Sequence, residues 1–235
     1  MTHIQNTRLY HEIHQQPDVI RKLVSQPQED IKRLAGNIRS RGIQHIFIAA
    51  RGTSDNAGRY AKYLLGAHNG MVVSLATPSL FTIYQQPPNL SNSLVLGISQ
   101  SGKSPDIVSV LSEGKRQGAL TAAITNNPKS DLGNAAEIVL DLQAGEELSL
   151  AATKPYTAQL ASLAILSAEL DPSQEFTLDL SNLPDQLEKV FENEAHVDNL
   201  AERYRYMSHC VVIGRGFNYA SAFEFSLKMK ELTYT

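Results

Sequence analysis

Leu94-Val95-Leu96-Gly97-Ile98-Ser99-Gln100-Ser101-Gly102-Lys103-Ser104-Pro105-Asp106 is the stretch on which the reading of this chain turns. Its first five residues are apolar without a break, the pattern of a strand covered on both faces. Three polar residues and a glycine follow, and Lys103-Ser104-Pro105-Asp106 opens a helix, with Pro and Asp suited to a first turn. A buried strand that ends in hydroxyls, a Gly and a helix N-terminus forms an anion cradle, because free backbone N–H groups and the positive end of the helix dipole converge there.

Similar units lie on either side. His45 to Ala50, Met71 to Ala76, Leu94 to Ser99, Leu120 to Thr125 and Glu137 to Leu142 are predicted strands, and the connections 54–68, 104–117 and 127–136 include crossover helices. Apolar strands alternating with helices imply a doubly wound α/β domain with a parallel five-stranded sheet in three layers. Residues 1–40 are polar with spaced apolar positions, which predicts two or three short amphipathic helices broken at Pro17 and Pro27. Ala151 to Leu170 reads as one long helix. Pro172, Ser173 and the polar stretch to Pro184 read as a linker, and a charged amphipathic helix is expected over 185–206. His45-x5-Arg51-Gly52 and His209-x5-Arg215-Gly216 share a spacing, so residues 208–235 are expected to be the first strand and helix of a second, incomplete unit after a domain at 41–170 and a connecting segment at 171–207. Cys210 is then expected to be buried in that strand.

Composition narrows the function. The chain has 235 residues, 42% hydrophobic and 19% charged, enough for a full core. A net charge of -3 provides no basic footprint, so nucleic acid is not an expected partner. No apolar run reaches membrane-spanning length. One cysteine cannot form an internal disulfide and fits a reducing compartment, so a cytoplasmic location is expected. His11 and His14 stand i, i+3 with no third ligand apparent; a surface role is the better reading and no metal is expected.

Two segments come near nucleotide-binding patterns. Gly97 to Ser104 satisfies G-x-x-x-x-G-K-[ST], and Asp141 could serve as the magnesium-binding acid. However, the apolar run continues through Ile98, leaving too short a loop for a triphosphate, and it is the third predicted strand instead of the first. Gly214-x-Gly216 has Tyr219 where a dinucleotide fingerprint needs a third Gly, and the second strand ends at Leu75-Ala76 without a ribose-binding acid. No cofactor is expected.

Four segments in register resemble sugar-isomerase (SIS) domains. Gly52-Thr53-Ser54 follows the first strand, with Asn56 and Gly58 after it, and Ser99-Gln100-Ser101-Gly102 with Ser104 follows the third. Ala151-Ala152-Thr153-Lys154-Pro155-Tyr156-Thr157 opens the long helix. Arg215-Gly216, Asn218, Ala222, Glu224 and Lys228-Met229-Lys230-Glu231-Leu232-Thr233-Tyr234 resemble the second-domain signature of the isomerase half of glucosamine-6-phosphate synthases. The resemblance implies a substrate site formed by Gly52, Thr53, Ser54, Ser99, Gln100, Ser101, Ser104, Leu150 and Ala152. Hydroxyls and backbone N–H groups suit a phosphate monoester, whose three oxygens need several short-range donors.

Glu224, Lys228 and Glu231, spaced i, i+4, i+7, share one helix face. The resemblance gives Glu231 the role of the acid that moves a proton between C1 and C2 of an open-chain sugar, and Lys228 that of its partner at the developing oxyanion. It also implies a homodimer. A hexose 6-phosphate or its 2-amino derivative is the expected substrate, with aldose–ketose isomerisation or amine loss as the chemistry. The alternatives are a sugar-phosphate-sensing module without catalysis and a P-loop NTPase. Ala152 stands where Ser is usual in the family, so that hydroxyl is missing here, and Lys103 stands where Glu is common, which makes the rim more basic. The ring-opening His and C-terminal Lys of the family have no counterpart up to Thr235.

Overall fold

The structure, a computed structural model, describes residues 4–171 and 180–234. Three helices come first: α1 (Arg8–His14), α2 (Gln16–Ser25) and α3 (Glu29–Ser40). Pro17 sits in the first turn of α2, where its missing N–H costs nothing, and Pro27 lies between α2 and α3. The α/β region then runs β1 (His45–Ala50), α4 (Thr53–Asn69), β2 (Val72–Leu75), α5 (Ser79–Thr82), β3 (Ser93–Ile98), α6 (Pro105–Arg116), β4 (Leu120–Thr125), α7 (Asp131–Ala135), β5 (Ile138–Asp141) and α8 (Lys154–Leu170). Last come α9 (Leu183–Phe191), α10 (Glu194–Arg203) and α11 (Phe217–Thr233).

The five strands are all parallel, in the order β2-β1-β3-β4-β5. Every residue of β3 and β4 is buried, which is why those runs show no polar alternation. Period-two geometry divides the side chains between two layers. Ile46, Ile48, Leu94, Leu96 and Ile98 pack toward α2, α3, α4 and α8; Ala49, Val95 and Ala123 pack toward Phe81, Ile107 and Leu111 on the other side. Each Leu or Ile fully buried here contributes about 1.5–3 kcal/mol.

The chain winds outward from β1 to β2, then returns past β1 to place β3 on its other side. That reversal makes the β1–β3 boundary the topological switch point, where a doubly wound sheet opens a crevice at its carboxyl edge. The turns after β1 and β3 both end there, since Ala50 is the register partner of Ile98.

Three expectations fail. The single helix expected over 185–206 is two, α9 and α10, broken at Glu192-Asn193. The break lets Phe191 stack on His14 while Glu194 takes the Tyr10 hydroxyl and pairs with His14, so His14 is not free on the surface. His209 to Ile213 is not a strand, and Cys210, Val211 and Ile213 are exposed. A strand requires a partner for its backbone groups, and among the described residues no strand pairs with this run. Instead, α11 docks on α4: Phe217 lies against Tyr60 and Tyr63, and the Arg59 guanidinium sits over the Phe223 ring. Pro172 and Ser173, read as linker, fall outside the described residues. Among the described residues, no helix is long and apolar enough to cross a membrane.

Candidate functional site

The turn after β3 is built by backbone demands. Gly102 has φ +65, and a Cβ there would lie 1.9 Å from Ser130 Oγ, so both conformation and space require glycine. Ser99 Oγ accepts the Gly102 N–H at 3.2 Å, and Ser101 Oγ accepts the Lys103 N–H at 3.3 Å. Both hydroxyls thus act as acceptors within the turn, which leaves their O–H protons for donation outward. Gln100 is held through its carbonyl, which takes the Asn126 N–H and the Thr125 hydroxyl. Ser104 occupies the N-cap position of α6, yet its side chain makes no capping bond. Gly97, the first glycine of the nucleotide pattern, lies inside β3, where an added Cβ would meet Leu111 and Leu132 at 2.7 and 2.8 Å. Its role is packing, and the loop that remains, residues 99–104, is too short to wrap a triphosphate.

The turn after β1 lies alongside. Gly52 has φ +55 and precedes α4, whose N-terminus also has no side-chain cap. Arg51 pairs with Asp106 in the first turn of α6 and so ties the two turns together. Ser54 is buried, and its hydroxyl accepts from Gln159 Nε2 at 3.0 Å. Thr53 meets α11: its hydroxyl donates to Glu224 Oε1 at 3.0 Å and accepts from Lys228 Nζ at 2.9 Å. Lys228 also reaches Glu231 Oε2 at 2.7 Å and lies 3.3 Å from Glu224 Oε1. The expected helix-face triad is therefore formed, with Lys228 at its centre. Lys230 is exposed and takes no part.

Sequence reasoning left Glu224 and Asn56 without roles. Glu224 is buried and accepts from Asn56 Nδ2 at 2.7 Å as well as from Thr53, so one carboxylate locks α11 onto the start of α4. Nearby, burial, with the Glu224 charge and Tyr60 adding to it, raises the Tyr156 phenol above its ordinary value and keeps it neutral. The signal for Glu224 was its i, i+4 relation to Lys228; for Asn56, its place three residues after Thr53.

A cleft of ≈ 710 Å³ opens beside the Ser-Gln-Ser-Gly turn, lined among others by Gln100, Ser101, Lys103, Asn126 and Glu147. It is large enough for a small phosphorylated sugar. Thr53, Glu231 and Lys228 do not line it; they belong to the turn after β1 and to α11, and the Arg51–Asp106 pair ties that turn to the cradle. Leu150 and Ala152 belong to the irregular segment before α8, Leu150 at 83% exposure and Ala152 half-buried.

Comparison with known proteins agrees with this geometry. The family model described as SIS domain matches residues 41–168. A glutamine–fructose-6-phosphate aminotransferase (isomerizing) from Gloeobacter violaceus is 34% identical over 95% of this chain and 39% of its own length. This chain therefore spans about two fifths of the curated relatives it matches. A crystal structure of a Silicibacter pomeroyi DSS-3 protein, provisionally named a phosphosugar isomerase, superposes with a TM-score of 0.88 at 32% identity, over 95% of this chain and 68% of that one. The C-terminal domain of the glucosamine-fructose-6-phosphate aminotransferase from Francisella tularensis gives 0.81 at 27% identity, over 97% and 68%. With the model match, the fold and the two turns at the switch point in agreement, the chain belongs to the SIS domain family.

Proposed function

We propose that this chain binds a hexose 6-phosphate, of the fructose 6-phosphate or glucosamine 6-phosphate type, and moves a proton between C1 and C2 of the open-chain sugar. The observation that carries the reading is the pairing of two hydroxyl-bearing turns at the β1–β3 switch point with a Lys–Glu pair anchored to one of them through Thr53. Ser99, Gln100, Ser101 and Ser104 take the phosphate, helped by the uncapped start of α6. Gly52, Thr53, Ser54, Leu150 and Ala152 surround the sugar.

Glu231 acts as the base. Its carboxylate takes the C2 proton of the aldose form, the C–H electrons become the C1=C2 bond of an enediol, and the carbonyl oxygen at C1 gains a proton. Return of a proton to C1, with loss of the O2 proton, gives the ketose. Lys228 stabilises the oxyanion as it develops. With nitrogen on C2, the corresponding enolamine takes its proton at C1 to give a C2 imine, which water hydrolyses to the ketose and ammonia, so isomerase and deaminase share these groups. The relatives' names, which carry both fructose-6-phosphate and "isomerizing", support the substrate class. The reading includes a homodimer in the cytoplasm, with sedimentation as the check on assembly.

Calorimetric titration with fructose 6-phosphate, glucosamine 6-phosphate and Mg·ATP tests the substrate class. Either sugar phosphate is expected to bind and the nucleotide to give no heat; magnesium-dependent ATP binding without sugar-phosphate binding overturns the proposal.

A further inference from the structure

The N-terminal helices offer α1 as a packing element, yet the only residue α1 buries is a carboxylate, Glu12, at 5% exposure. Charged residues are almost never buried without a specific partner. Here the partners are 136 and 137 residues away: Glu12 Oε1 accepts the Leu148 N–H at 2.6 Å, and Oε2 accepts the Ser149 N–H at 3.0 Å. Successive N–H groups of an extended chain point in opposite directions, so two consecutive amides aimed at one carboxylate fix a turn.

The other end of the segment is fixed in the same way. Glu147 Oε1 accepts both the Thr153 N–H at 2.8 Å and the Thr153 hydroxyl at 2.7 Å, while its Oε2 is buried without a partner. Lys154, also buried, donates to Gln15 at the α1–α2 junction at 2.6 Å. Two carboxylates thus hold residues 148–153 at both ends, and Leu150 projects between them, 83% exposed. Glu147 itself lines the cleft beside the Ser-Gln-Ser-Gly turn, so the segment it holds begins at the rim of that cleft.

We propose that Glu12 is a positioning residue: through the Leu148 and Ser149 amides it holds the rim segment so that Leu150 and Ala152 meet the sugar of the bound phosphate ester. The inference rests on the sugar-phosphate reading above. It predicts that Glu12 matters for the sugar and not for the phosphate, since the cradle of Ser99 to Ser104 lies on other elements.

The test measures binding of fructose 6-phosphate and of inorganic phosphate alongside amide hydrogen exchange in wild type, Glu12→Ala and Glu12→Gln. Glu12→Ala is expected to lose protection at Leu148 and Ser149 and to weaken fructose 6-phosphate about tenfold, the scale of a rim contact displaced by a fraction of its length. Inorganic phosphate affinity is expected to stay unchanged. Glu12→Gln, isosteric and less disruptive to folding, keeps one acceptor and is expected to fall between the two. Equal weakening of both ligands, or lost protection with unchanged fructose 6-phosphate affinity, overturns the inference while leaving the parent reading intact. Wild-type protein that binds inorganic phosphate but not fructose 6-phosphate overturns both.

Discussion

Thr53 and Glu224 meet at 3.0 Å across 171 positions of sequence, and through that bond the start of α4 and the middle of α11 become one unit. The same carboxylate takes the buried Asn56 amide. Glu224→Ala leaves Asn56 and Thr53 without their acceptor, and hydrogen bonds to a charged group are worth about 1.5–3 kcal/mol each. The variant is expected to lose roughly 1–3 kcal/mol in urea unfolding, with amide protection falling first along α11. An unchanged midpoint would mean that the docking of α11 does not depend on this carboxylate.

Ser101 tests the phosphate assignment. Its Oγ already accepts the Lys103 N–H, so the proton it gives to a ligand is the property that Ser101→Ala removes. Sugar-phosphate affinity is expected to fall by about 1.5–3 kcal/mol, with the thermal midpoint nearly unchanged. Calorimetry giving wild-type affinity would take Ser101 out of the site.

Gly102 is a stability probe at the same turn. Gly102→Ala places a Cβ on Ser130 Oγ and asks alanine to hold a positive φ. Strain of this kind costs about 1–3 kcal/mol, read as a lower denaturation midpoint, and phosphate binding is expected to weaken as the turn relaxes. A midpoint equal to wild type would show that the turn adapts.

The strands and the cradle were readable because their causes are local. Apolar runs such as Leu120 to Ile124 lie between helices on both faces, and a turn that needs Gly102 advertises itself in the letters. The ends of the five sheet strands lie within one residue of their predicted positions. Other features depend on what lies opposite. His209 to Ile213 has the composition of a strand, but backbone pairing requires a neighbour that composition does not reveal. Glu12 looks like any surface glutamate of a polar helix, since its partners are backbone amides far along the chain. Glu224 was visible as one rung of a charge ladder, whereas its bonds to Thr53 and Asn56 arise only when α11 docks on α4.

The two rim carboxylates respond to pH in opposite senses. Burial raises the Glu12 carboxyl, but the donors from Leu148 and Ser149 and the nearby Lys154 outweigh it and hold it below the ordinary 4.5. Its stabilising effect is therefore present above 4.5 and lost as pH falls through the lowered value. Glu147 is raised above 4.5, chiefly by burial and also by the Glu12 charge, against the pull of Thr153 and Lys154. Its effect is present below 4.5 and lost as pH rises through the raised value. The Glu147→Gln midpoint is expected to gain on wild type as pH increases from 4.5 toward neutrality, and the Glu12→Gln deficit to close as pH drops below 4.5. Parallel pH profiles for the two variants would contradict these assignments.

Proton transfer by Glu231 is the centre of the account, and solvent exchange at C2 reads it directly. In D2O, with fructose 6-phosphate and glucose 6-phosphate followed by NMR, the protein is expected to exchange the C2 proton of the aldose. Glu231→Gln is expected to bind the sugar phosphate with near wild-type affinity and to stop exchange. Exchange at the wild-type rate in Glu231→Gln would contradict the account and place the base elsewhere.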